Sequence, residues 1–299
     1  MKKYVFITGS ESFIGKELIS QCEANEIKVT GADLVSEETP GRFAVDIRSP
    51  GIREVIPESV DAVIHLAALS RDADCRDNAY ECFDVNVMGT LNLMDAAVER
   101  GAKQFIFAST EWVYDSFVEN ETKLEGSTIN AMKLDSEYAL SKLVSEANLR
   151  QKYLKGFCDV MILRFGIIYG PRTANWSAVE SLTYAVGTKD EVSVGSLGTA
   201  RAFIHVSDIA SGIIKSIGAE GFNTINLQGS RLISLGEVIK TAKRVLGKTP
   251  DVAETTPDSP SVRAVSGRKA GSLIDWRPAI DLETGLKSIL PALGLQATE

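Results

Sequence analysis

Short apolar runs alternate with longer amphipathic stretches along the first half of the chain. Runs at 4–7, 27–30, 43–45, 60–66, 103–109 and 159–165 are compact and almost continuously apolar, the pattern of strands buried on both faces. Between them, 16–24, 74–100 and 134–153 carry apolar positions at helical spacing. In the second of these, Phe83, Val87, Leu91, Met94 and Val98 form the predicted buried stripe, and Gly101 stops the helix. Polar residues at 35–42 and 115–130 read as loops. Strands alternating with helices predict an α/β fold, a Rossmann-type doubly wound parallel sheet.

Beyond residue 166 the pattern loosens. Helices are expected at 178–187, from a Ser207 cap to 217, at 234–246 and at 282–290. Strands are expected at 192–194, 201–206 and 222–227. The domain reading is therefore 1–166 for the doubly wound unit, with 201–227 returning to it. Residues 167–299 form a smaller mixed α/β lobe, and ligand is expected between the two.

The first 33 residues carry the first chemical signal. A strand turns at Thr8-Gly9, passes through Ser10-Glu11-Ser12-Phe13-Ile14-Gly15 into a helix, and a second strand ends at Asp33. Strand, glycine turn, helix, strand and acid is the layout of a dinucleotide site. Gly9 permits the sharp turn, Gly15 permits close helix packing, and the helix N-terminus offers N–H groups to a pyrophosphate. Asp33, eighteen residues after Gly15, is placed to bond a ribose diol. Ser12 stands where the pattern has its middle glycine, and either displaces the phosphate or bonds to it.

Bulk properties narrow the classes. The 299 residues are 44% hydrophobic and 24% charged, as in globular proteins. A net charge of -8 without a basic tract argues against a general nucleic-acid binder. No apolar run approaches the length of a membrane span, and the N-terminal run breaks at Thr8-Gly9 before a signal-peptide core is complete. Cys22, Cys75, Cys82 and Cys158 show neither paired nor metal spacing, which suggests idle thiols in a cytoplasmic protein. With only His65 and His205 besides, no metal site is expected.

The sharpest reactive pattern is Tyr138-Ala139-Leu140-Ser141-Lys142. One helical turn separates Tyr138 from Lys142, so they share a face. A free tyrosine has a pKa of about 10, and a nearby ammonium lowers it toward the range of a base. Thr110, at the end of the fifth strand, would present a hydroxyl to the same substrate oxygen. Together these groups suit removal of an alcohol proton as a nicotinamide takes a hydride.

These features fall in a longer ordered series. Thr8-Gly9 to Gly15, Asp46-Ile47, His65-Leu66-Ala67-Ala68, Asn86-Val87 and Gly89-Thr90 come first. Phe107-Ala108-Ser109-Thr110, Val113-Tyr114, Tyr138, Lys142, Leu163-Arg164-Phe165-Gly166 and Tyr169-Gly170-Pro171-Arg172 follow. Arg201, Phe203 to Val206, Asp208 and Trp276-Arg277-Pro278 close it. In this series the chain resembles, essentially end to end, an extended short-chain dehydrogenase/reductase of the NAD-dependent sugar-nucleotide epimerase/dehydratase family. The resemblance implies that Gly9, Ser12, Phe13, Ile14, Gly15 and Asp33 hold NAD. Asp46 and Ile47 would bracket its adenine, and Leu66, Ala67, Ala68, Asn86 and Ser109 would line its channel. Thr110, Tyr138 and Lys142 would be catalytic, with Tyr138 as base and Lys142 also on the cofactor ribose. Arg201 would face a substrate pyrophosphate, unless it serves a surface ion pair, and Glu111 would contact substrate. A homodimer through the helices around Leu91 and Leu143 is also implied, although their stripes suit a buried monomer core equally well.

Three departures bear on the reaction. Sugar-nucleotide dehydratases of this family carry an Asp-Glu pair after the threonine, whereas this chain has Glu111-Trp112, which disfavours 4,6-dehydration. Ile167 replaces a usual asparagine. A second phosphate-clamping arginine has no aligned equivalent, Arg263 being offset. Trp176 either stacks on substrate or packs. Asp33 favours NAD over NADP. The leading expectation is an NAD-dependent epimerase of a nucleotide sugar. The alternatives are a net dehydrogenase or keto-reductase and, behind them, a non-catalytic NAD-binding protein.

Overall fold

The computed structural model describes residues 2–37, 39–118 and 120–298. Seven parallel strands form the central sheet: β1 (Tyr4–Thr8), β2 (Lys28–Asp33), β3 (Arg42–Ala44), β4 (Ala62–His65), β5 (Gln104–Thr110), β6 (Asp159–Phe165) and β7 (Phe222–Leu227). The main helices are α1 (Phe13–Ala24), α2 (Gly89–Glu99), α3 (Glu137–Leu154), α4 (Ala178–Thr188), α5 (Val206–Ser216), α6 (Leu235–Leu246) and α7 (Leu282–Ile289). The sheet order β7-β6-β5-β4-β1-β2-β3 reverses direction between β1 and β4. That reversal opens a crevice beyond the carboxyl ends of these strands, where doubly wound sheets bind ligands.

Strand side chains alternate between two cores. Val5 and Ile7 pack with Ile64, Met161 and Leu163 on the face covered by α1 and α5. Phe6 points the other way, to Val63, Phe105, Phe107 and Ile162, against α2 and α3. Burial on both faces explains why these strands read as unbroken apolar runs. A third core, built largely from α4, α6 and α7, makes the smaller lobe. Within 201–227, Arg201 pairs with Ile233 and Phe203 packs in the third core, whereas α5 and β7 pack in or beside the first, which also takes Ala270, Ile274 and Trp276.

Four local expectations are corrected. The helix expected over 74–100 is split into Asp72–Cys75, Ala79–Phe83, a π-helical turn Asp84–Met88 and α2. The break carries Asp77 at φ 59°. A π turn inserts a residue and rotates the stripe, so Leu93, Met94, Ala96 and Ala97 are buried while Val98 is 55% exposed. The strand expected over 201–206 is two bridges. Ala200–Arg201 pairs antiparallel with Ile233–Ser234, and Ile204–His205 pairs parallel with Ile168–Tyr169. His205, not Ser207, caps α5, its Nδ1 accepting from the Ser207 N–H at 3.2 Å. Finally, α3 starts three residues later than expected, because Ser136 caps it by accepting from the Ala139 N–H at 3.2 Å.

Candidate active site

The crevice begins at the turn after β1. Gly9 has φ 72°, and a Cβ there would lie 2.7 Å from the Ala67 nitrogen. A Cβ at Gly15 would overlap the carbonyl oxygen of Gly9. Only glycine lets α1 approach so closely. The Ser12 hydroxyl oxygen accepts from the Gly15 N–H at 3.0 Å and caps α1. The capping oxygen satisfies a deeper N–H group, which leaves those of Phe13 and Ile14 in the first turn for an anion. The Phe13 side chain turns away and lies beneath the Arg172 guanidinium, 4.7 Å from its ring centroid. Ile14 packs into the first core.

Asp33 sits at the end of β2 as expected, with its carboxylate on the Glu11 N–H at 3.0 Å and the Val35 N–H at 3.3 Å. It therefore braces the glycine turn while retaining acceptor capacity toward the crevice. Across the crevice, residues 66–68 follow β4, the Leu66 N–H donating to the Thr8 carbonyl at 3.1 Å. Ile47 packs where a Cβ on Gly89 would stand 2.7 Å away.

Three of the expected cofactor residues also bond within the chain. The Asp46 carboxylate is clasped by Arg48 at 2.7–3.1 Å, which also pairs with Glu81 and Asp84. Asn86, buried on the π turn, accepts from the Leu69 N–H at 2.8 Å and donates to the Leu69 carbonyl and the Ser141 hydroxyl, each at 3.0 Å. It positions the 66–69 loop and α3. The Ser109 hydroxyl donates to Glu146 at 2.5 Å, behind the sheet end.

Thr110, Tyr138 and Lys142 converge where β5 ends against α3. Lys142 is buried, its ammonium donating to the Ala108 carbonyl at 2.8 Å and lying 4.8 Å from the Phe107 ring centroid. Burial lowers Lys142 to about 8, against the opposing influence of Cys82, Cys75 and Glu146. Tyr138 behaves differently from the sequence expectation. Enclosure of its phenol raises it above an ordinary tyrosine, and the adjoining Thr110 hydroxyl acts in the opposite direction. The Lys142 ammonium is 5.9 Å from the Tyr138 ring centroid and is spent on Ala108, so desolvation prevails. A bound substrate hydroxyl, or a cationic ring in the crevice, would favour the phenolate.

Glu111 follows directly after Thr110 and is 1% exposed. Its Oε2 accepts from the Gln228 amide at 3.0 Å, while its Oε1 has no partner among the described residues. Burial raises its carboxyl to about 7, against the pull of Arg201, Arg263 and Gln228. Arg201 donates to the Ala200 and Ser261 carbonyls at 2.8 and 2.6 Å, and no ion pair to it or to Arg263 occurs among the described residues. Burial and the neighbouring charge of Arg263 both lower Arg201. Arg263 lies 5.4 Å from the Trp112 ring centroid and 5.5 Å from that of Phe117. Arg263 thus lies near Arg201, with Trp112 against its guanidinium. Two guanidiniums without an ion pair among the described residues, beside a carboxyl that burial pushes toward neutrality, suit an anionic ligand.

The remaining candidates are structural. Trp176 packs on Tyr184, 5.0 Å between ring centroids. His65 bridges Thr8 and Thr90 at 2.7 and 3.0 Å, and burial holds it neutral. No group that could hold a metal occurs among the described residues. Nor does any of their helices have the length and apolarity to cross a membrane.

Known proteins resemble this chain in sequence and in fold. UDP-glucuronic acid decarboxylase 6 of Arabidopsis thaliana is 27% identical over 297 residues, covering 94% of this chain and 86% of that protein. UDP-glucuronate 4-epimerase of Thermodesulfobacterium geofontis (strain OPF15) is 30% identical over 241 residues, covering 77% and 71%. The structure of a Thermus thermophilus UDP-glucose 4-epimerase in complex with NAD superposes with a TM-score of 0.82 at 23% identity, covering 97% of this chain and 99% of that one. The family model described as NAD dependent epimerase/dehydratase family matches residues 5–227, and the chain belongs to that family of enzymes.

Proposed function

We propose that the protein is an NAD-dependent epimerase of a nucleotide-activated sugar, working through a transient keto sugar. The observation that carries this reading is the meeting of Thr110, Tyr138 and Lys142 at the end of β5 with Glu111, Arg201 and Arg263. The Arg201 and Arg263 guanidiniums suit a nucleotide diphosphate. Tyr138 takes the proton of the sugar hydroxyl, and Thr110 holds that oxygen in line. Lys142, anchored by the Ala108 carbonyl, would hold the cofactor ribose. Glu111 offers its unpartnered oxygen to the sugar. NAD, when bound, would supply the hydride acceptor for the sugar carbon and the donor to its opposite face. Gly9, Gly15 and the first turn of α1 would hold its pyrophosphate, and Asp33 its ribose. The Asp33 carboxylate disfavours a 2′-phosphate.

A second reading, oxidation followed by loss of a sugar carboxylate, is favoured by the name of the Arabidopsis relative. Product NMR separates the two. The protein is incubated with UDP-glucose and with UDP-glucuronate. Appearance of the 4-epimer of either supports the proposal, and a UDP-pentose from the uronate selects the second reading. Unchanged substrates with added NAD refute both.

A further inference from the structure

Arg263 is half-buried, and its guanidinium makes no hydrogen bond among the described residues, whereas that of Arg201 is bonded to Ala200 and Ser261. Aromatic rings hold it instead. Its Cζ lies over the Trp112 ring, 5.4 Å from the centroid, and over the Phe117 ring, 5.5 Å from the centroid. Both distances are in the range of a cation–π contact.

Three separate stretches of chain bring these groups together. Trp112 sits in the short helical turn Glu111–Val113 that follows β5, and its N–H donates to the Thr110 hydroxyl oxygen at 3.2 Å. Phe117 is on the loop beyond. Lys123, at the end of that loop, pairs with Glu121 at 2.8 Å and lies 5.9 Å from the Phe117 ring centroid. Arg263 immediately precedes the short strand Ala264–Val265, which pairs parallel with Thr122–Lys123, and its own N–H donates to the Ala200 carbonyl at 3.2 Å. Backbone bonds therefore fix the root of Arg263 to the loop carrying Phe117, and Trp112 is fixed to Thr110.

The means of holding matters for the chemistry. A guanidinium has five N–H donors and no acceptor. Held by hydrogen bonds, as Arg201 is, it spends donors on the protein. Held over ring faces, which attract its charge, it keeps those donors for a ligand, and their fork matches the paired oxygens of a phosphate. We propose that Trp112 and Phe117 are positioning residues that hold the Arg263 guanidinium by its charge and leave its N–H groups to the diphosphate of the substrate.

The inference rests on the proposed binding of a diphosphate by Arg263, and the test separates the two. Affinity for UDP is measured by titration calorimetry, with folding checked by circular dichroism. Arg263→Met should weaken binding roughly tenfold. An unchanged Kd in that variant refutes the diphosphate role of Arg263 and the inference with it. Trp112→Leu and, independently, Phe117→Leu should each weaken binding roughly three- to tenfold, while Trp112→Phe, which keeps a ring, should stay within about twofold of wild type. Added to Arg263→Met, either leucine substitution should cause no further loss, because the rings act through that guanidinium. Wild-type affinity in both leucine variants, a Trp112→Phe variant as weak as Trp112→Leu, or leucine losses that persist in full beside Arg263→Met would each overturn the inference.

Discussion

Replacing Glu111 by glutamine should make the protein more stable at alkaline pH. Glu111 is buried beside Thr110 with one oxygen unpartnered, and its carboxyl is raised from 4.5 to about 7. Between those values the folded protein holds a proton that the unfolded chain has released, so this group's contribution to stability falls as pH rises across the window. A rise from 4.5 to about 7, at about 1.4 kcal/mol per pH unit, amounts to about 3 kcal/mol. Glutamine keeps the shape and the Gln228 contact but never ionises. Below pH 4.5 the raised carboxyl distinguishes the two proteins little; at pH 8 the variant escapes the whole penalty. At about 2 °C per kcal/mol for a chain of this size, the gap in melting temperature should be roughly 6 °C wider at pH 8 than at pH 4.5. Thermal unfolding followed by circular dichroism at the two pH values checks this. A gap that does not change with pH, or a variant that melts below wild type at pH 8, would refute the argument that burial governs Glu111.

Other perturbations separate the parts of the site. Tyr138→Phe should reduce turnover by roughly 100-fold or more with NAD affinity kept within a few-fold, read from steady-state kinetics and fluorescence titration; unchanged turnover removes Tyr138 as the base. Asp33→Ala deprives the Glu11 and Val35 N–H groups of their acceptor and should weaken NAD binding roughly tenfold to 100-fold. Equal NAD affinity in titration calorimetry would deny Asp33 its ribose contact. Arg263→Ala should weaken UDP binding roughly tenfold or more in calorimetry, and an unaffected Kd would show that the Arg201–Arg263 pair does not hold the diphosphate.

Legibility followed sequence distance. The glycine turn, the helix behind it and Asp33 lie within 33 residues, and Tyr138 and Lys142 within one helical turn, so spacing alone carries their geometry. The strands were equally plain, because burial on both faces leaves an unbroken apolar run. Glu111, Arg201, Gln228 and Arg263 are far apart in the chain, and only the meeting of the two lobes assembles them. Arg263 and Phe117 meet through the pairing of Ala264–Val265 with Thr122–Lys123, which no local pattern encodes. The π turn escaped notice because its apolar residues suit an ordinary helix almost as well. Its identity follows from where Asn86 must reach, to the Leu69 backbone and Ser141. The raised phenol of Tyr138 is hidden for a related reason: spacing puts Tyr138 and Lys142 on one face, but it cannot say that the ammonium is engaged by the Ala108 carbonyl.

The central claim is that one hydride leaves the sugar and returns to the same carbon within a single closed cycle. UDP-glucose and UDP-glucuronate, each deuterated at carbon 4, test it most directly. The account predicts a 4-epimer that retains its deuterium, in unlabelled water and in the presence of free unlabelled NADH. A 4-epimer that has lost the label to solvent or to the free cofactor pool would contradict it.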